Sequence, residues 1–217
     1  MRGDILVITE NHKKAASQSM PFILPKFKEA NKPFIITVAG ESGAGKSEIA
    51  ECIAKEFENI GIKSFIFQQD DYFVYPPRSN TKKREEDINH VGIYEVRLDL
   101  LEEHCKAAYE CRKIEKPLVI FEENKIDTEE VDLCNYQVFI VEGTYTTALE
   151  NVDIHVFIDR DYIDTKGARL KRSREKQDQF LEQILKIEHE IISKHKNRAH
   201  IIITKEYNVI KGDSYEK

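Results

Sequence analysis

"FIITVAGESGAGKSEIAECIA", residues 34–54, joins an apolar run to a glycine-rich loop and then to a helical pattern. Gly40, Glu41, Ser42, Gly43, Ala44, Gly45, Lys46 and Ser47 fit G-x-x-x-x-G-K-[ST], the P-loop pattern that cradles phosphates. Each part has a chemical task. Glycines let the chain turn tightly and bring main-chain N–H groups against phosphate oxygens. A helix starting near Lys46 aims the positive end of its dipole at the anion, and Glu48 lies in its first turn. Lys46 adds a point charge for the β- and γ-phosphates, and the Ser47 hydroxyl is a ligand for Mg²⁺. The flanks supply the context the pattern requires. Residues 34–38 alternate little and are mostly apolar, as in a parallel strand buried on both faces. Ile49, Ile53 and Phe57 recur at helical spacing beside Ala50 and Ala54, and Gly61 offers a stop.

On either side of this segment, strand-like apolar runs recur at residues 5–8, 64–67, 118–121, 138–141, 154–158 and 201–203. Helical patterns separate several of them; in residues 95–112, Leu98, Leu101, Cys105 and Ala108 share a face. The alternation predicts an α/β fold with a mainly parallel β-sheet and helices on both faces, like the P-loop nucleoside triphosphate hydrolases, with ligands outside the carboxyl ends of the strands. Residues 1–33 read as an N-terminal extension: a strand at 5–8, then a partly helical stretch over 11–30 interrupted by Pro21 and Pro25. An edge element and a subunit contact, hence a homo-oligomer, are both open for it. Residues 34–217 form the nucleotide-binding domain, with a helical lid around 164–195.

The chain has 217 residues, 41% hydrophobic and 33% charged, enough for one well-buried domain. Its net charge of −6 and the lack of a long basic tract argue against a nucleic-acid partner. Its apolar runs fall far short of a bilayer span and residues 1–30 carry no signal-peptide pattern, so a cytoplasmic protein with no membrane association is expected. Cys52, Cys105, Cys111 and Cys134 have no C-x-x-C spacing and read as reduced, mostly buried thiols.

Several strands end in polar residues. "FIFQQDDYF" closes on Asp70 and Asp71, of which extended geometry lets only one face a given site. "YQVFIVEGTY" ends on Glu142, suitably placed to orient the water shell of Mg²⁺. "DTKGARLKRSREK" carries Arg169, Arg172 and Arg174; Arg169 and Arg172 share a helix face and can neutralise a transferring phosphoryl group. Downstream, Phe180, Ile184, Ile187 and Ile191 form an apolar stripe. Asn124-Lys125-Ile126-Asp127 matches the N-K-x-D guanine-reading pattern, yet no D-x-x-G lies between it and the loop, which weighs against a switch GTPase.

In order, these segments resemble the uridine kinase and phosphoribulokinase family of P-loop kinases over residues 34–205. "GESGAGKS" is similar to that family's P-loop, "QQDDYF" to its Q-D-S-F-Y, "NHVGIYEVRLDLLEEH" to its D-H-P-D-A-F-D and following helix, "FIVEGTY" to its F-E-G, "ARLKRSREK" to its R-L-x-R-R lid and "NRAHIII" to its closing strand beside the adenine. The resemblance implies ATP and Mg²⁺ as cofactors and a small-molecule hydroxyl as acceptor. It implies Asp70 as catalytic base and a ligand of Mg²⁺ alongside Ser47 and Glu142. Lys46, Arg169 and Arg172 would be catalytic. Residues 40–48 and Arg174 would hold the nucleotide. Asp70, Tyr72, Asn89, His90 and Tyr94 would face the acceptor. Asn89 and Val91 stand where nucleoside-binding members carry the aspartate and proline of D-H-P, so their ribose contact has no counterpart here.

Overall fold

The computed structural model describes residues 6–172 and 178–216, with only the backbone at Lys171 and Arg172. The chain runs α1 (Glu10–Glu29), β1 (Phe34–Gly40), α2 (Lys46–Asn59), β2 (Ser64–Gln68), α3 (Pro77–Glu86), α4 (Leu98–Tyr109), β3 (Lys113–Ile120), β4 (Lys125–Asp132), β5 (Val138–Gly143), β6 (Ile154–Ile158), α5 (Lys166–Arg172), α6 (Gln179–Ile192), β7 (Ile201–Ile203) and β8 (Val209–Lys211). Six strands form the central sheet in the order β2-β5-β1-β6-β7-β8. All its pairs are parallel except β7 with β8.

β1 shows why its sequence does not alternate. Phe34, Ile36 and Val38 face α1 and α2 on one side of the sheet, where Ile49, Ile53 and Phe57 of α2 are buried. Ile35 and Ala39 face α4 on the other, with Leu101, Cys105 and Ala108. Both faces are dry, so every position is apolar or hydrogen-bonded.

Four expectations change. Residues 6–9 carry no strand and lead into α1; Ile5 lies outside the described residues. The prolines do not break the helix: Pro21 and Pro25 both lie inside α1, whose buried face, including Ala15, Ala16, Met20 and Ile23, packs against α2. That burial outweighs the missing N–H donors, each of which removes one helical hydrogen bond. The apolar run at 118–121 belongs not to the central sheet but to an antiparallel hairpin of β3 and β4. Periodicity reports burial, not which partner strand supplies it. Finally, Cys111 and Cys134 are paired in a disulfide, because the hairpin returns the chain to the end of α4; Cys52 and Cys105 are free and buried.

The expected lid region holds two helices, with residues 173–177 outside the description. Asp178 caps α6, its Oδ1 accepting from the Leu181 amide at 3.0 Å. The buried face of α6 is Leu181, Ile184, Leu185, Glu188 and Ile192. Phe180, Ile187 and Ile191 are half-buried, so the stripe is rotated from the expected one.

Candidate active site

β1 lies between β5 and β6, the point from which the chain departs to either side of the sheet. In open α/β sheets this crevice, beyond the strands' carboxyl ends, is where ligands bind. The loop after Gly40 turns over it into α2. Gly43 has φ +76°, and a Cβ there would stand 2.8 Å from Arg169 Cγ, so both backbone and space require glycine. Lys46 Nζ donates to the Glu41 carbonyl at 3.1 Å.

Two acidic strand ends meet this loop. In register, Glu142 of β5 pairs with Val38 of β1 and Gln68 of β2. Its Oε1 accepts from Ser47 Oγ at 3.0 Å. Burial, then the neighbouring Asp70 charge, pushes the Glu142 carboxyl up to about 7, while Lys46 and the Ser47 hydroxyl pull it down. Gly143 follows because the Gln69 side chain packs onto it: a Cβ at 143 would lie 2.2 Å from Gln69 Cβ. Gln69 Oε1 then accepts from the Tyr145 amide at 2.7 Å.

Asp70 and Asp71 diverge in a single turn, Gln69–Tyr72. Asp70 is exposed and lines a cleft of about 290 Å³ together with Ser42, Gly43, Thr144 and Arg169. Asp71 points inward, accepts from Lys116 Nζ at 3.1 Å and the Val119 amide at 2.9 Å, and fastens the hairpin to the sheet. Ser47, Glu142 and Asp70 offer hard oxygen donors around one spot, which fits Mg²⁺. Among the described residues no group of three His, Cys, Asp or Glu side chains forms a metal cage.

α5 and α6 cover the loop. Arg169 is buried, its Nη1 donating to the Tyr162 carbonyl at 2.7 Å and to Thr165 Oγ1. The side chain of Arg172 and all of Arg174 lie outside the described residues. His189 on α6 meets Glu41 Oε1 at 2.6 Å, tying this helix to the phosphate loop. Burial raises the Glu41 carboxyl and His189 opposes that. The preceding residue, Glu188, reaches the other wall, where its Oε1 lies 3.2 Å from Arg84 Nη2.

That other wall is where expectation and structure part. Tyr72 is fully buried and meets His104 Nδ1 at 2.8 Å, so it is core rather than acceptor site. The turn that exposes Asp70 sends Tyr72 inward. Asn89 is exposed, its amide bonded to Asp87 at 2.9 Å, and Tyr94 is 90% exposed; neither lines the cleft. His90 touches it at one remove, with Nε2 3.2 Å from Oδ1 of Asn80. The cleft is lined instead by Phe73, Tyr75, Asn80, Thr81, Arg84 and Phe121. Arg84 is fixed by Glu95, fully buried, at 2.5 and 3.0 Å, and Asn80 Nδ2 donates to the same carboxylate at 2.8 Å. "NTKKREE" reads as a solvated helix, so nothing local marks Arg84. Glu188 did carry a signal: it is a charge on the apolar face of α6.

Residues 35–208 match the Phosphoribulokinase / Uridine kinase family. The chain belongs to that family. It is 27% identical to a uridine kinase of Latilactobacillus sakei over 183 residues, covering 79% of this chain and 85% of the relative. It is 25% identical to a bifunctional alpha-galactosidase/sucrose kinase of Mediterraneibacter gnavus, covering 83% of this chain but spanning about a fifth (21%) of that protein. Among solved structures, D-glycerate 3-kinase from Cryptococcus neoformans superposes with a TM-score of 0.64 at 13% identity, over 90% of this chain and 97% of that one. At that identity the likeness concerns the fold, a mostly parallel sheet flanked by helices. Its relatives are small-molecule kinases, and among the described residues no helix is long and apolar enough to cross a membrane.

Proposed function

We propose that the protein transfers the γ-phosphoryl of ATP to a hydroxyl of a small metabolite, in the manner of the uridine kinases it resembles. The observation that carries this reading is the meeting of Ser47 and Glu142 at 3.0 Å close to Asp70, which lines one cleft with Ser42 and Gly43 of the phosphate loop and with Phe73, Tyr75 and Arg84. Loop amides and Lys46 hold the phosphates. Ser47 and Glu142, with Asp70, would hold Mg²⁺, which supplies charge neutralisation on the phosphate oxygens when bound. Asp70, exposed in the cleft, takes the proton from the acceptor hydroxyl. Arg169, together with Arg172 and Arg174, neutralises the transferring group, and α5 with α6 acts as the lid that excludes water.

The acceptor meets Phe73, Tyr75, Asn80, Thr81 and Arg84. A nucleoside, a sugar, a pentose phosphate, a pantothenate-like alcohol and a glycerate each remain a member of the panel to be tested. Against the GTPase reading stands the place of Asn124, which at φ +50° turns the β3–β4 hairpin and accepts at Oδ1 from the Arg78 amide at 2.7 Å. The deciding assay is ADP release from MgATP across that panel. Release stimulated by one class of acceptor supports the kinase reading; release indifferent to every acceptor, with GTP bound more tightly than ATP, overturns it.

A further inference from the structure

The family match begins at residue 35, so α1 lies outside it. Yet α1 packs along α2 and reaches the phosphate loop. Gly45, at φ +97°, has no side chain, and a Cβ there would stand 3.0 Å from His12 Nε2 and 3.4 Å from its Cδ2. The imidazole is buried against the loop's bare backbone. Its Nδ1 accepts from the Thr9 amide at 3.2 Å, which places the ring proton on Nε2, the nitrogen that faces the loop.

Two other elements converge on this imidazole. Tyr207, in the turn between β7 and β8, sets its hydroxyl 3.4 Å from His12 Nε2, with the rings edge to face at 5.4 Å. Arg160, just after β6, lies over the Tyr207 ring at 4.9 Å and donates from Nη1 to its hydroxyl; its Nε is buried with no acceptor among the described residues. Lys14 of α1 reaches the same turn, donating to Asn208 Oδ1 at 2.9 Å. Glu48, in the first turn of α2, is close enough to act on the Tyr207 hydroxyl.

The loop's two glycines therefore face different walls. Gly43 is covered by Arg169 and Thr165, on the side of Asp70 and the acceptor cleft; Gly45 is covered by His12. If the γ-phosphoryl of a bound triphosphate faces Asp70, as proposed above, its α-phosphate and nucleoside would extend from that cleft toward the Gly45 side of the loop. We propose that α1 is a wall of the nucleotide site. His12 Nε2–H donates to the α-phosphate side of the bound nucleoside triphosphate, and the Tyr207 ring, backed by the Arg160 guanidinium, packs against its nucleoside. The cation and the ring suit an anion joined to a flat heterocycle. His12 is thus a binding residue for the phosphoryl donor, supplied by a segment outside the matched residues 35–208.

The inference rests on the loop holding a nucleoside triphosphate but not on any acceptor, so it is tested by equilibrium binding without one. MgATP and Mg-tripolyphosphate are titrated by calorimetry into wild type, His12→Ala, His12→Gln and Tyr207→Ala, with thermal melts to establish folding. His12→Ala is expected to weaken ATP about tenfold or more, the scale of a hydrogen bond to a charged group. His12→Gln, which keeps an N–H donor, recovers most of that loss. Tyr207→Ala weakens ATP but leaves tripolyphosphate within about twofold. If wild type binds ATP and folded His12→Ala binds it equally or more tightly, the side chain merely fills the space and the inference falls alone. If wild type binds neither ligand, the reading of the loop itself falls with it.

Discussion

Glu142 is a buried carboxylate whose ionised form opposes stability, and Glu142→Gln separates that cost from its proposed role. Burial and Asp70 raise its carboxyl from the ordinary 4.5 to about 7. A carboxyl raised in the folded state contributes stability that is fully present below about 4.5 and is lost as pH rises through about 7. At about 1.4 kcal/mol per pH unit, the ionised form costs the ligand-free protein up to about 3 kcal/mol above pH 7. Glutamine cannot ionise and still accepts from Ser47. Without metal or nucleotide, Glu142→Gln should therefore match wild type near pH 4.5 and exceed it progressively toward pH 8. The gap at pH 8 approaches about 3 kcal/mol, or several degrees in Tm for a chain of this size. Urea unfolding at both pH values in a chelator reads this directly. The same variant should lose about a hundredfold in MgATP-dependent turnover, since the charge that would hold Mg²⁺ is gone. A variant less stable than wild type at pH 8, or a gap that does not change with pH, would refute the reasoning.

Arg84→Ala leaves Glu95, fully buried, without its guanidinium, and should cost about 3–5 kcal/mol by urea denaturation; a loss under 1 kcal/mol would mean the pair is not buried as described. Tyr72→Phe removes one buried hydrogen bond to His104, about 1 kcal/mol, and should leave the KM for acceptor within about twofold; a tenfold rise in a folded variant would return Tyr72 to the acceptor site. His189→Ala cuts the tie between α6 and Glu41. Transfer should then slow about tenfold while the share of ATP lost to water rises, as expected when closure is impaired; an unchanged ratio of transfer to hydrolysis would show the tie is idle.

What could be read in advance follows from how local each signal is. The segment from Phe34 to Phe57 specifies strand, loop and helix through a pattern of glycines and apolar spacing that needs no distant partner. That Glu142 and Asp70 stand at strand ends could be read because each closes a largely apolar run. The far wall of the cleft was not. Arg84 is held in that wall only when Glu95 and Glu188, 11 and 104 positions away, arrive beside it. Tyr72 looked like a contact because it lies two residues from Asp70, which lines the cleft; a single short helical turn sends the two in opposite directions. Asn89 and Tyr94 sit in turns whose orientation no periodicity encodes. The Cys111–Cys134 pair depends on a hairpin of which only residues 118–121 read as an apolar run; its second strand, Lys125–Asp132, is mostly polar. Pro21 and Pro25 show the reverse error, a strong local breaker overridden by the packing of α1 on α2. His12 had no local signal at all, since its place against the loop depends on Gly45 lacking a side chain and on Tyr207 at the far end of the chain.

The claim at the centre is that Asp70 takes the acceptor's proton while the loop holds ATP independently of it. Transfer of label from [γ-³²P]ATP into the best acceptor, measured for wild type and Asp70→Asn beside their ATP dissociation constants, tests it. The account predicts label transfer reduced by about 10²–10⁴-fold, the range for a lost general base, with ATP affinity within about twofold. Wild-type transfer by Asp70→Asn would contradict it.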